Sequence, residues 1–220
     1  KSRFFANVSH ELRTPLTLLI APLESIQNRF SHLFDEDTRG LLQTMHANGL
    51  RLLKLINDLL DLVRLESGRL EVKQEPLELG DLVKGLASAV RQVANDKRIK
   101  LEASADPSLG TVVGDRDKLE KILLNLLFNA LKFTPAEGKV TLTAVRDGEH
   151  YVLSVADTGI GIAEKNLPHV FERFWQADGS SKRKFQGVGI GLALVKELSE
   201  VQGGSVKVES QEGRGTQFYI

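Results

Sequence analysis

From Leu12 onward the apolar residues Leu12, Leu16, Leu19, Leu23, Ile26, Phe30 and Leu33 follow one another at alternating steps of 4 and 3. Heptad spacing of this kind confines them to one seam of a helix packed against other helices. Residues 34–37 interrupt the stripe, and Asp37 is the expected N-cap of a second helix. A second stripe then runs through Leu42, Met45, Gly49, Leu52, Ile56, Leu59 and Val63, broadened by Leu53, Leu55, Leu60 and Leu62. Ser67-Gly68 supplies a helix stop. Two such helices form a hairpin with more apolar surface than one partner helix covers. A four-helix bundle built by two chains about a twofold axis is the economical solution, so a homodimer is expected. The competing arrangement folds the hairpin onto the C-terminal part of its own chain.

Composition removes several classes of function. The 29 basic and 29 acidic residues cancel, which argues against a dedicated binder of nucleic acid or of anionic membrane. Without cysteine there is no disulfide, cysteine-ligated zinc or thiol catalysis. No apolar run approaches the ~20 residues that span a bilayer, so no membrane contact is expected of this segment. Lys1 rather than methionine opens the sequence, which suggests a piece of a longer protein with room for a membrane anchor upstream.

After Gly68 the periodicity changes. Residues 69–73 alternate like a strand closed by Pro76, and residues 79–94 read as an amphipathic helix. Short strands are expected at 99–103 and 111–113. Asp115 caps a helix through Phe133, whose buried stripe is Leu119, Ile122, Leu123, Leu126, Leu127, Ala130 and Leu131. Residues 140–145 and 151–156 alternate around Asp147-Gly148, a hairpin signature. A helix over 190–201 and strands at 205–209 and 216–219 complete an α+β layer of helices on a mixed sheet.

Three clusters in this part are polar where packing alone predicts apolar residues. Asn125, Asn129 and Lys132 share one face of the helix after Asp115. Asparagine is a modest helix former, and its amide oxygen suits Mg²⁺, which takes further ligands from phosphates and water. The plainer reading is a solvated polar face. Asp157-Thr158-Gly159-Ile160-Gly161 follows a strand; a carboxylate there can accept from the exocyclic amine of a base, and the glycines let a ligand approach the backbone. Gly187, Gly189 and Gly191 open the last long helix, whose amides and dipole make an anion site. Between the second and third clusters residues 176–186 form either a mobile loop or a lid that reaches phosphates through Lys182, Arg183 or Lys184.

His10 lies off the heptad seam and has no packing task there. Glu11 can take a proton from its imidazole and leave the other nitrogen as a nucleophile. Thr14, at i+4, shares the face of His10, and Pro15 and Pro22 are expected to bend the helix below it.

FFANVSHELRTPL resembles the H-box of sensor histidine kinases of two-component signalling. LEKILLNLLFNALKFTP is similar to their N-box, DTGIGI to the first glycine box, FERFWQ to the F-box and GVGIGLAL to the second glycine box, in the family's order. The resemblance implies a dimerisation and histidine-phosphotransfer hairpin over residues 1–66. It implies a catalytic ATP-binding domain over 67–220, with the α/β sandwich shared with gyrase and heat-shock chaperone ATPases. By motif, His10 is the phosphoacceptor, Glu11 its base, and Thr14 the position implicated in phosphatase activity. Asn129 then ligates Mg²⁺, Asn125 supports it, Lys132 lies near the phosphates and Phe133 beside the adenine. Asp157 recognises the adenine amine in a pocket shaped by Gly159 and Gly161, while Gly187, Gly189 and Gly191 line the lid hinge and phosphate site. Phe171 and Phe174 pack the lid against the body. The chain departs from many members in having Gln186-Gly187 where they have two glycines. The implied activity is ATP-dependent autophosphorylation of His10, transfer to an aspartate of a response-regulator receiver domain, and phosphatase action on that regulator. The implied location is cytoplasmic, as the kinase core of an inner-membrane sensor protein. The alternative is an ATP-binding clamp or a nucleotide-sensing dimeric scaffold without phosphotransfer.

Overall fold

A computed structural model describes residues 2–68, 70–176 and 189–220, with side chains from Arg13 onward. The chain divides into two compact units, Lys1–Leu70 and Glu71–Ile220.

The first unit is an antiparallel pair of helices, α1 (Ser2–Phe30) and α2 (Glu36–Glu66), joined through a 3₁₀ turn at Ser31–Leu33. α1 runs on through Pro15 and Pro22. The N-cap of α2 is Asp35 rather than Asp37, because the Asp35 carboxylate accepts the Thr38 N–H at 2.7 Å; Asp37 falls in the first turn instead. Beyond the far end, Ser67 caps α2 and Gly68 takes φ +64, the left-handed step that ends many helices. The register is pinned by Arg13 Nη2 donating to Asn57 Oδ1 at 2.8 Å and by His46 Nε2 against Glu24 at 3.0 Å.

The seam between the helices differs from the expected stripe. Leu16 is buried as expected, but Ile20, which is outside the stripe, is buried too. Gly49 explains this: a Cβ at that position would meet Ile20 Cγ1 at 3.0 Å, so the missing side chain makes room for the isoleucine. Leu19, Leu33 and Met45 from the stripes are 65%, 68% and 51% exposed, and Phe30, Leu52 and Leu59 are exposed as well. A single hairpin therefore leaves these six stripe positions uncovered, as the breadth of the two stripes requires.

The second unit is built on a five-stranded sheet. In chain order its elements are β1 (Glu75–Glu78), α3 (Leu79–Asp96), β2 (Lys100–Ala105), β3 (Thr111–Gly114), α4 (Arg116–Phe133), β4 (Lys139–Asp147), β5 (His150–Asp157), a 3₁₀ segment Glu164–His169, α5 (Gly191–Val201), β6 (Lys207–Gln211) and β7 (Gly215–Tyr219). The sheet order is β2-β4-β5-β7-β6, with β2 and β4 parallel and the other neighbours antiparallel. β1 and β3 form a separate antiparallel ribbon.

Residues 70–73 are not strand. The Lys73 N–H is taken by Asp115 Oδ2 at 2.8 Å, which diverts this stretch from any ladder. Pairing begins two residues later and includes Pro76 opposite Val113, a place where proline is tolerated because a two-stranded ribbon has a free edge.

The core lies between the sheet and three helices. Val140, Leu142 and Ala144 alternate inward along β4 and meet Leu153, Val155 and Phe218 from the neighbouring strands. Against them sit Leu82, Val83 and Val90 of α3, Ile122, Leu123, Leu126, Leu127 and Leu131 of α4, and Leu194 and Leu198 of α5, all essentially inaccessible. Each such side chain contributes about 1.5–3 kcal/mol by leaving water. The same alternation sends Thr141 and Thr143 to the opposite face, where Thr143 Oγ1 and Ser154 Oγ lie 2.7 Å apart. Asp115, 1% exposed, caps α4 by accepting from Lys118 N and also holds the Lys118 ammonium.

Candidate functional site

α4 is amphipathic in an unusual way, because its buried stripe continues into amides. Asn125 is itself buried, with Nδ2 donating to the Lys121 carbonyl at 2.9 Å. That bond fixes the amide with its oxygen toward the start of α5: a Cβ on Gly191 would lie 3.3 Å from Asn125 Oδ1. Asn129, one turn on, is half-buried on the same face. Among the described residues no side chain caps α5 at Ile190, so the electropositive end of that helix opens beside Asn125.

The other end of α4 meets the strand-end loop. The Phe133 carbonyl accepts from Ile160 N at 3.3 Å, and the Lys132 ammonium sits 4.7 Å over the Phe133 ring. Asp157 closes β5, and its Oδ1 accepts from Gly159 N at 2.7 Å. Burial pushes the Asp157 carboxyl above its ordinary value, opposed by the backbone N–H groups of Gly159 and Thr216. A half-desolvated carboxylate here gains most by accepting a hydrogen bond from a ligand. Gly159 lies against the Phe133 carbonyl, 2.6 Å from where a Cβ would be. Gly161 has φ +67, and a Cβ there would sit 2.0 Å from the Gln211 carbonyl oxygen, so only glycine fits.

Of the residues picked out by sequence, Asn125 and Gly191 are therefore brought together, as are Phe133, Gly159 and Asp157. Gly189 takes φ +74, and its carbonyl accepts from Phe174 N at 2.9 Å. Phe171 packs edge-on against Phe218 at 6.2 Å, while Phe174 is 60% exposed with φ +64; most of the lid that both were expected to hold lies outside the described residues. Lys182, Arg183, Lys184 and Gly187 lie outside the described residues, as do the side chains of His10 and Glu11; the backbone of both is in α1. Thr14 is exposed on α1.

Sequence reasoning missed a second layer under Asp157. Thr216 is buried beside it in the ladder, and Ser210 Oγ receives Ile162 N at 2.8 Å and donates to the Gly215 carbonyl. The only hint was the Gly213-Arg214-Gly215-Thr216 turn between two short strands.

Two families cover most of the chain. The His Kinase A (phospho-acceptor) domain matches residues 1–68, and the histidine kinase-, DNA gyrase B- and HSP90-like ATPase matches residues 114–220. The chain belongs to the sensor histidine kinases. It is 36% identical over 221 residues to a sensor-like histidine kinase of Rhizobium meliloti, covering 100% of this chain and 42% of that protein. Among solved structures it is similar to full-length ShkA in complex with AMPPNP, at 34% identity and TM-score 0.82, covering 100% of this chain and 45% of that one. A mycobacterial sensor histidine kinase, MprB, matches at 30% identity and TM-score 0.57 over 67% of this chain and 95% of its own. The chain thus spans under half the length of the Rhizobium relative. No helix among the described residues is long and apolar enough to cross a membrane.

Proposed function

We propose that this chain is the kinase core of a two-component sensor, which phosphorylates His10 from ATP and passes the phosphoryl group to a receiver-domain aspartate. The observation that carries the reading is the meeting of α4 and α5, with the Asn125 amide oxygen beside Gly191 at the start of α5, where no side chain among the described residues caps the helix. ShkA, similar over the whole of this chain, was solved with AMPPNP, which supports ATP as the nucleotide. Asp157 receives the adenine amine, Phe133 flanks the base, and the backbone at Gly189 and Gly191 faces the phosphates, a role that the motif extends to Gly187. Lys132, with Lys182, Arg183 and Lys184, supplies positive charge.

Mg²⁺ fits this donor set, since amide oxygens are hard ligands and Asn125 holds its oxygen by a fixed bond. Asn129 would hold the ion with Asn125 in support, and the ion would neutralise charge on the transferring phosphoryl group.

In the reaction an imidazole nitrogen of His10 attacks the γ-phosphorus, an N–P bond forms, the bond to the β-phosphate oxygen breaks, and ADP leaves. Glu11 takes the imidazole proton. Such transfers have loose transition states, so positioning and charge dominate. Thr14, exposed one turn beyond His10, positions water for dephosphorylating the regulator. The six exposed apolar stripe residues of the hairpin support a homodimeric four-helix bundle. A cytoplasmic location follows from the need for ATP.

The test is transfer of γ-labelled phosphate from ATP to wild type, His10→Gln and Asn129→Ala. An acid-labile, base-stable label absent from both variants is expected. A wild type that binds ATP and never labels would return the chain to a clamp or nucleotide sensor.

A further inference from the structure

Three contacts tie residues 171–175 to the sheet and to α5. The Phe171 ring meets Phe218 of β7. The Phe174 N–H donates to the Gly189 carbonyl at 2.9 Å, two residues before α5 begins. Arg173 donates through Nε at 2.9 Å and Nη2 at 2.6 Å to one carboxylate oxygen, Glu197 Oε1, on the second turn of α5. The two side chains are 36% and 23% exposed, so water screens the pair only in part.

The geometry points to Arg173 and Glu197 as a positioning pair for the nucleotide site. The inference rests on the nucleotide-binding reading above. Neither residue belongs to the asparagine, aspartate or glycine sets that face the nucleotide in that reading. Their effect is transmitted through backbone that has no slack: a Cβ on Gly189 would lie 2.6 Å from the Trp175 carbonyl oxygen and 2.7 Å from the Phe174 carbonyl carbon. Displacing residues 171–175 therefore displaces Gly189, and with it the entrance to α5 beside Asn125. The brace closes a loop in space. Glu197 holds Arg173, the next residue holds Gly189 through its N–H, and Gly189 leads back into the helix that carries Glu197. A helix start used to bind phosphates needs its amides fixed before the ligand arrives, because ordering them on binding costs affinity.

The pair acts on ground-state binding of the nucleotide rather than on transfer to His10, which separates it from a residue that only supports folding. The experiment measures calorimetric Mg·ATP affinity and the maximal labelling rate of the whole chain for wild type, Glu197→Gln, Arg173→Gln and the exchanged pair Arg173→Glu with Glu197→Arg. Both single variants should raise Kd about fivefold while the labelling rate at saturating ATP stays within about twofold. The exchanged pair should recover most of the affinity. Trp175 is the only tryptophan and its carbonyl abuts Gly189, so its fluorescence response to ATP should weaken in the single variants and return in the exchange. Unchanged Kd in both single variants with a lowered Tm would overturn the inference and leave a structural brace. Should the exchanged pair fail to fold, Arg173→Lys keeps the charge without the guanidinium's pair of donors, and an intermediate Kd is required of it; a Kd equal to that of Arg173→Gln would count against the pair. Wild type that binds ATP without labelling overturns the proposed kinase alone, because Kd is read without phosphotransfer. Wild type that does not bind ATP overturns both.

Discussion

The Asp157 carboxylate accepts the Gly159 N–H at 2.7 Å while the same glycine lies against the Phe133 carbonyl. A strand end, a turn and a helix end are thereby locked around one acidic group. Burial raises the pKa of that group, so the fold favours its protonated form. The stabilisation is fully present below the ordinary value of 3.8 and is lost as pH rises through the raised one. At neutral pH the nucleotide-free domain carries an ionised, half-desolvated carboxylate at some cost. Asp157→Asn should raise Tm at pH 7 by about 2–4 °C, with the gain shrinking as pH falls toward the carboxylate range. It should weaken ATP binding about ten- to a hundredfold, by loss of one charged acceptor. Thermal scans across pH, paired with calorimetry, check both halves; a variant that binds ATP normally removes Asp157 from base recognition.

Gly161 and Gly148 both have positive φ, but their surroundings differ. At Gly161 a Cβ meets the Gln211 backbone at 2.0 Å, whereas at Gly148 nothing lies within 4 Å. Gly148→Ala should cost only about 1 kcal/mol, for the left-handed backbone. Gly161→Ala should cost on the order of 3 kcal/mol and displace the turn after Asp157, taking ATP binding with it. Urea denaturation of the two variants side by side separates the clash from the conformational preference. Equal losses would mean that the loop can move away from Gln211.

Elements were legible wherever one physical signal dominated. Asp115 before a stripe of leucines marked α4 to the residue, and Asp147-Gly148 marked the β4–β5 hairpin, because each depends on local chemistry. The N-cap of α2 was displaced to Asp35 since two aspartates two residues apart offer the same side chain, and only the bond to Thr38 decides between them. Residues 69–73 read as strand by alternation, and over 70–73 a long-range bond from Lys73 to Asp115 overrides that. In the site, Asn125, Asp157 and the glycines stood out because they break a packing pattern. Thr216, Ser210 and Glu197 did not, since a threonine or serine in a strand and a glutamate on a helix are ordinary until their partners are known.

Asp115 is the inaccessible cap of α4, where it accepts from Lys118 N and Lys73 N and holds the Lys118 ammonium. Burial pushes its carboxyl up, but the bonds from Lys118 and Lys73 outweigh that and hold it below the ordinary value. Its contribution is therefore present above the ordinary value and lost as pH falls through the lowered one. Asp115→Ala should destabilise the second unit by on the order of 2–4 kcal/mol at pH 7, since it removes a cap and leaves the partly buried Lys118 ammonium with the Glu71 carbonyl but without this carboxylate. The difference from wild type should narrow in acid. A loss that stays constant down to pH 3 would assign the effect to packing rather than to the charge.

Thr14 is exposed on α1, one helical turn beyond His10, and the next residue toward the C-terminus is Pro15. An exposed threonine inside a helix does little for stability, and alanine is the better helix former by several tenths of a kcal/mol. Thr14→Ala should therefore leave Tm unchanged or slightly higher. If the hydroxyl orients the water that attacks a phosphorylated aspartate, the variant should lose phosphatase activity by about tenfold or more while His10 labelling stays within about twofold. Thr14→Ser, which retains the hydroxyl, should keep most of the phosphatase rate. The rates are read with a purified phosphorylated receiver domain and with γ-labelled ATP in parallel. Equal loss of both activities in Thr14→Ala, at unchanged Tm, would place the threonine in a step common to both reactions, such as docking of the receiver.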